Sequence, residues 1–237
     1  MKPNILIFTG AGVSKESGID TFRDANGLWF QYKIEDVATP AGWKKNRERV
    51  LEFYNQRRAQ LSTVHPNRAH DLIAELEKWA NVTVVTQNVD DLHERAGSTK
   101  IIHLHGELKK SRSTVNRNSI YDCEGDLKIG DKCEEGSQLR PHVIWFGEGL
   151  YQSDVDAAWK AARLADVCII VGTSMQVSPA NEIPFQTKET ALIYYVDPNE
   201  QEFYVLEYRE AFFTHHKMPA TTGMQKVVNE LKGIYGI

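Results

Sequence analysis

Short, mostly apolar runs alternate along this chain with stretches in which apolar residues recur every three or four positions. Asn4-Ile5-Leu6-Ile7-Phe8, Val82 to Thr86, Val167 to Val171 and Leu192 to Val196 are such runs. They have the length and content of strands buried on both faces of a parallel sheet. Between them, Arg47 to Leu61, Asn67 to Trp79 and Asp154 to Ala165 read as helices, the second with Leu72, Ile73, Leu76 and Trp79 on one face. Strands alternating with helices predict an α/β fold with a doubly wound parallel sheet. The four runs end in Thr9-Gly10-Ala11-Gly12-Val13-Ser14, Gln87-Asn88-Val89-Asp90, Gly172-Thr173-Ser174 and Asp197-Pro198-Asn199. In such a sheet ligands sit at the carboxyl ends of the strands, where all four polar turns fall. Lys109 to Leu139 has no sustained period and reads as part of a small inserted module, at about 107–140 of a single domain spanning 1–237.

Composition narrows the class. The 237 residues are 41% hydrophobic and 25% charged, ample for a packed core. Lys plus Arg number 28 against 32 Asp plus Glu, and a net charge of −4 argues against a dedicated nucleic-acid scaffold. No apolar run approaches the roughly 20 residues that span a bilayer, so the expectation is a soluble protein with no membrane partner. The three cysteines, Cys123, Cys133 and Cys168, are odd in number and follow no signal-peptide pattern, which favours a reducing cytoplasm over a disulfide framework. They also fall short of a four-thiolate zinc site.

Gly10 and Gly12, just past the first strand, permit a tight turn and close approach of a ligand to backbone N–H groups. Glycine serves strand-to-helix turns for steric reasons too, so the turn alone leaves nucleotide binding and plain turn geometry open. The ordinary dinucleotide fingerprint adds a third glycine at a fixed offset and a later acidic residue, and neither stands here: position 15 is Lys15. The longer stretch decides more. Gly10-Ala11-Gly12-Val13-Ser14-Lys15-Glu16-Ser17-Gly18-Ile19-Asp20-Thr21-Phe22-Arg23-Asp24-Ala25-Asn26-Gly27-Leu28-Trp29 resembles the signature of the sirtuins, the NAD-dependent protein deacylases. Thr86 to His93, Leu104-His105-Gly106, Arg140 to Glu148 and Gly172-Thr173-Ser174 agree with the same family in order and spacing.

The resemblance implies a Rossmann-like sheet plus a small module, with NAD and an acyl-lysine peptide meeting between them. It places Gly10, Ala11, Gly12, Ser14, Glu16, Ser17 and Gly18 in the cofactor loop and Phe22 and Arg23 on a segment that closes over NAD. Gln87, Asn88, Val89 and Asp90 would hold nicotinamide and its ribose, and an amide needs the donor and acceptor that an Asn and an Asp supply. Gly172, Thr173 and Ser174 complete the cofactor set. His105 would be the general base, an assignment its unperturbed pKa near 6.5 allows, while His93 and His103 carry no implied catalytic role. The implied chemistry uses no protein nucleophile: the acyl oxygen attacks the nicotinamide ribose carbon, and His105 draws a proton from a ribose hydroxyl. Val143, Ile144, Trp145, Phe146, Gly147 and Glu148 would pair with the extended substrate by strand addition, although the residues alone read equally as a buried strand.

Tyr54 and Arg57 stand three apart in a helical stretch and share one face. With Ala38 nearby in sequence, this block resembles the sirtuins that remove succinyl and malonyl groups. Arg57 can bind a distal carboxylate through two parallel hydrogen bonds and the Tyr54 hydroxyl can add a third. Two departures accompany these matches. Ser113 stands where most sirtuins have the first cysteine of a zinc ribbon, Cys133 fits the first position of the second pair, and Cys123 matches nothing, so no bound zinc is expected. Tyr195 stands where an Asn usually contacts the adenosine ribose. The competing readings are an NAD-consuming ADP-ribosyltransferase or glycohydrolase, and a non-catalytic NAD or ADP-ribose sensor.

Overall fold

The computed structural model describes residues 2–20, 32–200 and 212–237. Six parallel strands form the main sheet: β1 (Asn4–Thr9), β2 (Asn81–Thr86), β3 (Ile101–His103), β7 (Val167–Val171), β8 (Leu192–Val196) and β9 (Phe213–His216), in the order β3-β2-β1-β7-β8-β9. The order reverses next to β1, so the crevice above β1 and β7 is the topological switch point of a Rossmann-like sheet. The strand expectations hold to within a residue or so. β7 and the Ile5–Phe8 stretch of β1 are apolar because both faces are covered. Ile5, Ile7, Val82, Val84, Val167 and Ile169 pack on one side against α5 (Arg68–Leu76) and the last helix, α8 (Ala220–Tyr235). Leu6, Phe8, Cys168, Ile170 and Ile193 pack on the other against Ala158 and Ala162 of α7 (Gln152–Leu164).

β4 (Gly106–Ser113), β5 (Ile120–Asp122) and β6 (Leu139–Val143) form a second, antiparallel sheet in the order β5-β4-β6. It occupies the stretch whose sequence shows no period. The helices α2 (Ile34–Val37), α3 (Pro40–Lys45) and α4 (Arg47–Leu61) build a third core against it: Val37, Trp43, Phe53 and Tyr54 meet Leu108, Leu127, Val143 and Trp145. Asn55 and Arg58 fasten α4 to this sheet. The Arg58 Nε donates to the Leu108 carbonyl at 2.7 Å, and Asn55 exchanges two hydrogen bonds with the Leu127 backbone at 2.9 and 3.0 Å. Among the described residues no helix is long and apolar enough to cross a membrane.

Candidate active site

Three polar turns are stitched into one surface at the carboxyl ends of β2, β1 and β7. The Thr9 carbonyl accepts from the Gln87 N–H (2.9 Å), Val171 O from Gly10 N–H (3.1 Å) and Val196 O from Gly172 N–H (2.9 Å). Side chains extend the seam, with Gln87 Nε2 donating to Thr173 Oγ1 at 2.9 Å.

The glycines serve this seam. A Cβ on Gly10 would lie 2.7 Å from Thr173 Cβ, and one on Gly12 would lie 2.7 Å from Gly172 Cα. Gly172 itself has φ +60°, and a Cβ there would fall on the Val13 nitrogen and the Gly12 carbonyl carbon. The tight turn expected at Gly10 and Gly12 is demanded here by the close approach of the Gly172 loop. The helix after them, α1 (Gly12–Lys15), is a single turn. Its N–H groups take local partners, Gly12 on Gly172 O, Val13 on Gly10 O and Ser14 on Ala11 O.

Ser14 sits at the centre of a buried polar cluster. Its hydroxyl donates to Asp90 Oδ2 at 3.1 Å and accepts from Asn88 Nδ2 at 3.2 Å. Burial raises the Asp90 pKa, although the Leu92 N–H and the Ser14 hydroxyl work against that rise. The rest of the first loop turns elsewhere. Glu16 accepts from the Thr221 N–H and hydroxyl, at 2.9 and 2.7 Å, at the start of α8. Ser17 accepts from Asn67 Nδ2 at 3.0 Å, and the Gly18 carbonyl accepts from Gln60 at 3.2 Å. Phe22 and Arg23 lie outside the described residues. The Val89 carbonyl receives the Leu108 N–H at 2.8 Å, which joins the turn after β2 to the small sheet.

His105, between β3 and β4, places Nδ1 3.1 Å from the Gln87 carbonyl oxygen. A carbonyl only accepts, so Nδ1 carries the proton and Nε2 of the neutral ring keeps a bare lone pair. Burial depresses the His105 pKa, against the carbonyl, and keeps the ring neutral at pH 7. In that state Nε2 can accept a proton.

His103 and His93, without an implied catalytic role, hold the same loop. His103 bridges the Asn88 carbonyl (3.1 Å) and the Glu94 carboxylate (2.7 Å). Burial disfavours its charge, but Glu94 outweighs burial and raises the His103 pKa. His93 meets Thr9 Oγ1 at 3.0 Å, Thr9 donates to Thr86 Oγ1 at 2.8 Å, and that oxygen accepts the Asn88 N–H at 3.0 Å. The matching segment Thr86 to His93 was the sequence signal available for this support.

Tyr54 and Arg57 both stand on α4, three positions apart. Tyr54 is 1% exposed and its hydroxyl accepts from the Trp145 indole Nε1 at 2.9 Å. Burial lowers the Arg57 pKa, opposed by Tyr54 and Asp90, the two acidic groups its guanidinium feels. Ala38 is buried, and its carbonyl takes the Phe146 N–H at 3.0 Å.

The segment Val143 to Glu148 is only in part a strand, since β6 ends at Val143. Ile144 N–H donates to the His105 carbonyl at 2.9 Å and Trp145 N–H to Glu148 Oε2 at 2.8 Å. Trp145 turns inward while Phe146 is 49% exposed. The Glu148 carboxylate is held by Arg140 at 2.7 and 3.1 Å and by Arg112 at 3.0 Å. Its side chain braces the segment. Sequence reasoning missed Arg112, which comes from a stretch without period.

The remaining departures have structural explanations. Tyr195 is fully buried and donates to the Thr173 carbonyl at 3.0 Å, so it props the Gly172 turn from below. Ser174 follows in the same turn. In the small sheet, Ser113 Oγ accepts the N–H groups of Val115 and Asn116, each at 3.2 Å, and lies 2.8 Å from Ser137 Oγ. The Cys133 thiol joins both hydroxyls at 3.5 and 3.1 Å. Cys123 lies apart and contacts the Gly125 carbonyl. Among the described residues no three His, Cys, Asp or Glu side chains cluster as metal ligands.

Comparison with known proteins converges on one family. Residues 10–179 match the model of the Sir2 family. An NAD-dependent protein deacylase of Helicobacter pylori (strain ATCC 700392 / 26695) is 53% identical over 195 residues, covering 82% of this chain and 84% of that protein. One of Aquifex aeolicus (strain VF5) is 41% identical over 98% of this chain and 97% of that protein. A solved Sir2 homolog–NAD complex superposes with a TM-score of 0.85 at 39% identity, covering 97% of this chain and 90% of that one.

Proposed function

The chain belongs to the Sir2 family, and from that premise we propose that it removes acyl groups from protein lysines with consumption of NAD, accepting succinyl and malonyl as well as acetyl groups. The observation that carries the reading is His105: a neutral imidazole whose proton is fixed on Nδ1 by the Gln87 carbonyl, beside a buried Ser14–Asn88–Asp90 cluster at the switch point of the sheet. The donor set fits the nicotinamide end of NAD, because Asn88 and Asp90 offer an amide both kinds of partner. NAD bound there would supply an activated ribose carbon for transfer of the acyl group. The chain contributes position and proton handling. Gly10, Ala11, Gly12, Gly172, Thr173 and Ser174 would lie along the dinucleotide; His105 Nε2 would take a proton from a ribose hydroxyl; and the backbone of Ile144 to Glu148 would hold the acylated peptide. Much of the rate enhancement then comes from orientation.

Arg57 carries the acidic-acyl part of the proposal. Arg57 and Tyr54 share a face of α4, so a carboxylate at the end of an acyl chain would meet a bidentate cation and a neutral donor. An acetyl group leaves both unused. We place the protein in the cytoplasm, with acylated lysine side chains of proteins as its partners and no resident zinc, since Ser113 offers a hydroxyl in place of a thiolate. The test is incubation with NAD and a succinyl-lysine peptide, followed by mass spectrometry for nicotinamide, free-lysine peptide and acyl-ADP-ribose together. Nicotinamide without deacylated peptide would overturn the deacylase reading in favour of glycohydrolysis. Arg57→Met is expected to lower activity on the succinyl peptide far more than on the acetyl peptide, and equal losses would remove the acidic-acyl assignment.

A further inference from the structure

The Tyr54 hydroxyl lies in an aromatic enclosure formed by Phe53 at 5.0 Å and Trp145 at 6.3 Å between ring centroids. A phenol oxygen can accept and donate. An indole Nε1–H can only donate, so in the 2.9 Å contact Trp145 is the donor and Tyr54 the acceptor. The phenol proton is thereby turned away from the indole and left for another acceptor. The indole has little freedom to relinquish this role. Trp145 is 2% exposed, and the Arg140 guanidinium lies 3.2 Å from its ring centroid. Its own N–H is held by Glu148, and Arg140 is held by Glu148 and the Val143 carbonyl.

We propose that Trp145 is a positioning residue for acyl selection: its indole N–H fixes the Tyr54 hydroxyl so that the phenol proton points to the carboxylate of an acidic acyl group bound by Arg57. The inference rests on the reading of Tyr54 and Arg57 as the acyl-carboxylate pair. Burial pushes the Tyr54 pKa up to about 12, so the proton is in place at any working pH. A phenol that already accepts a hydrogen bond is also a stronger donor, because polarisation passes along the chain of bonds. The segment proposed to hold the peptide thus reaches the acyl pocket through one buried indole.

The test is the ratio of kcat/KM for succinyl-lysine and acetyl-lysine peptides of one sequence, which cancels a general loss of activity. Trp145→Phe keeps an aromatic ring and removes the N–H; it is expected to lower the ratio roughly fivefold, the size of one neutral hydrogen bond, chiefly through the KM for the succinyl peptide. In a Tyr54→Phe background the same change is expected to leave the ratio where Tyr54→Phe alone puts it. An unchanged ratio in Trp145→Phe, or a further drop in the double variant, overturns the proposal. Arg57→Met separates the two levels: if it leaves the ratio intact, the underlying reading falls and this inference with it, whereas a ratio lost in Arg57→Met but kept in Trp145→Phe removes this inference alone. Should Trp145→Phe fail to fold, the enzyme labelled with 15N-tryptophan supplies the answer. One indole N–H resonance is expected to move in Tyr54→Phe and, in the wild type, to shift further with succinyl-lysine than with acetyl-lysine peptide. A resonance indifferent to Tyr54→Phe, or equally responsive to both peptides, refutes it.

Discussion

Glu148 offers a test of the brace behind the proposed peptide segment. Its two carboxylate oxygens receive Arg112 at 3.0 Å, Arg140 at 2.7 and 3.1 Å, and the Trp145 N–H at 2.8 Å. The two arginine side chains are only 5% and 8% exposed, and Glu148 is 18% exposed. Glu148→Gln preserves shape but removes the single anion between two buried cations and turns an amide NH2 toward guanidinium donors. Breaking a buried ion pair from one side costs about 3–5 kcal/mol. For a chain of this size each kcal/mol moves Tm by about 2–4 °C, so a loss of roughly 6–20 °C is expected. Urea unfolding followed by circular dichroism gives the free energy directly, and a loss below about 1 kcal/mol would refute the argument. The pH dependence has a definite sign. Burial pushes the Glu148 pKa up, but Arg140 and the Trp145 N–H outweigh it and hold the carboxyl below its ordinary value of 4.5. A group depressed in the folded state stabilises fully above its unfolded pKa and loses that contribution as pH falls through its folded pKa. The difference between wild type and Glu148→Gln should therefore be complete near pH 6, roughly 1.5 units above that ordinary value, and shrink as the pH falls below 4.5.

Three further outcomes follow from the site. Gly172→Ala adds a Cβ against Val13 and Gly12 at a positive φ and should cost at least ~2 kcal/mol and abolish NAD binding by calorimetry, whereas Gly149→Ala, with nothing near its Cβ, should change neither. His105→Ala should lower turnover on acetyl and succinyl peptides alike by roughly 10²–10⁴. Because burial depresses the His105 pKa, the acid limb of kcat/KM should lie below 6.5, and a limb above pH 7 would contradict the base assignment. Ser113 and Ser137 draw the Cys133 thiol down to about 7, so Ser137→Ala should shift the midpoint of pH-dependent alkylation of Cys133 upward; a fixed midpoint would refute the hydroxyl cluster as its cause.

β1, β7 and β8 were legible because burial on both faces writes an unbroken apolar run. β3 escaped because it is three residues long, Ile101–His103. β9 escaped because three of its four residues, Thr214, His215 and His216, are polar, and among the described residues it pairs only with β8. α8 had a readable stripe, Ala220, Met224, Val227, Val228 and Leu231, all buried against the sheet; sequence reasoning passed over it. The segment after β6 was legible as a motif but not as a shape. Whether Ile144 to Glu148 continues as a strand depends on Arg112 and Arg140 capturing Glu148, and Arg112 lies on another strand, far away in sequence.

Spacing alone could not rank the residues of α4, and the reason is geometric. Tyr54 and Arg57 stand three apart; so do Asn55 and Arg58 in the same helix. Both pairs share a face by the same rule, and both combine a cation with a polar partner. The second pair is a joint: Arg58 donates to Asn55 Oδ1 at 2.9 Å and to Leu108 O at 2.7 Å, and Asn55 holds the Leu127 backbone. In the first pair the Tyr54 hydroxyl meets the Trp145 indole instead. One position of rotation along a helix is about 100°, enough to separate a docking face from a cleft face. What lies opposite each face is set by long-range topology, by the small sheet on one side and the turn after β2 on the other. The docking pair therefore bears on selectivity at one remove, because it fixes the rotation of α4 that brings Tyr54 under the Trp145 indole.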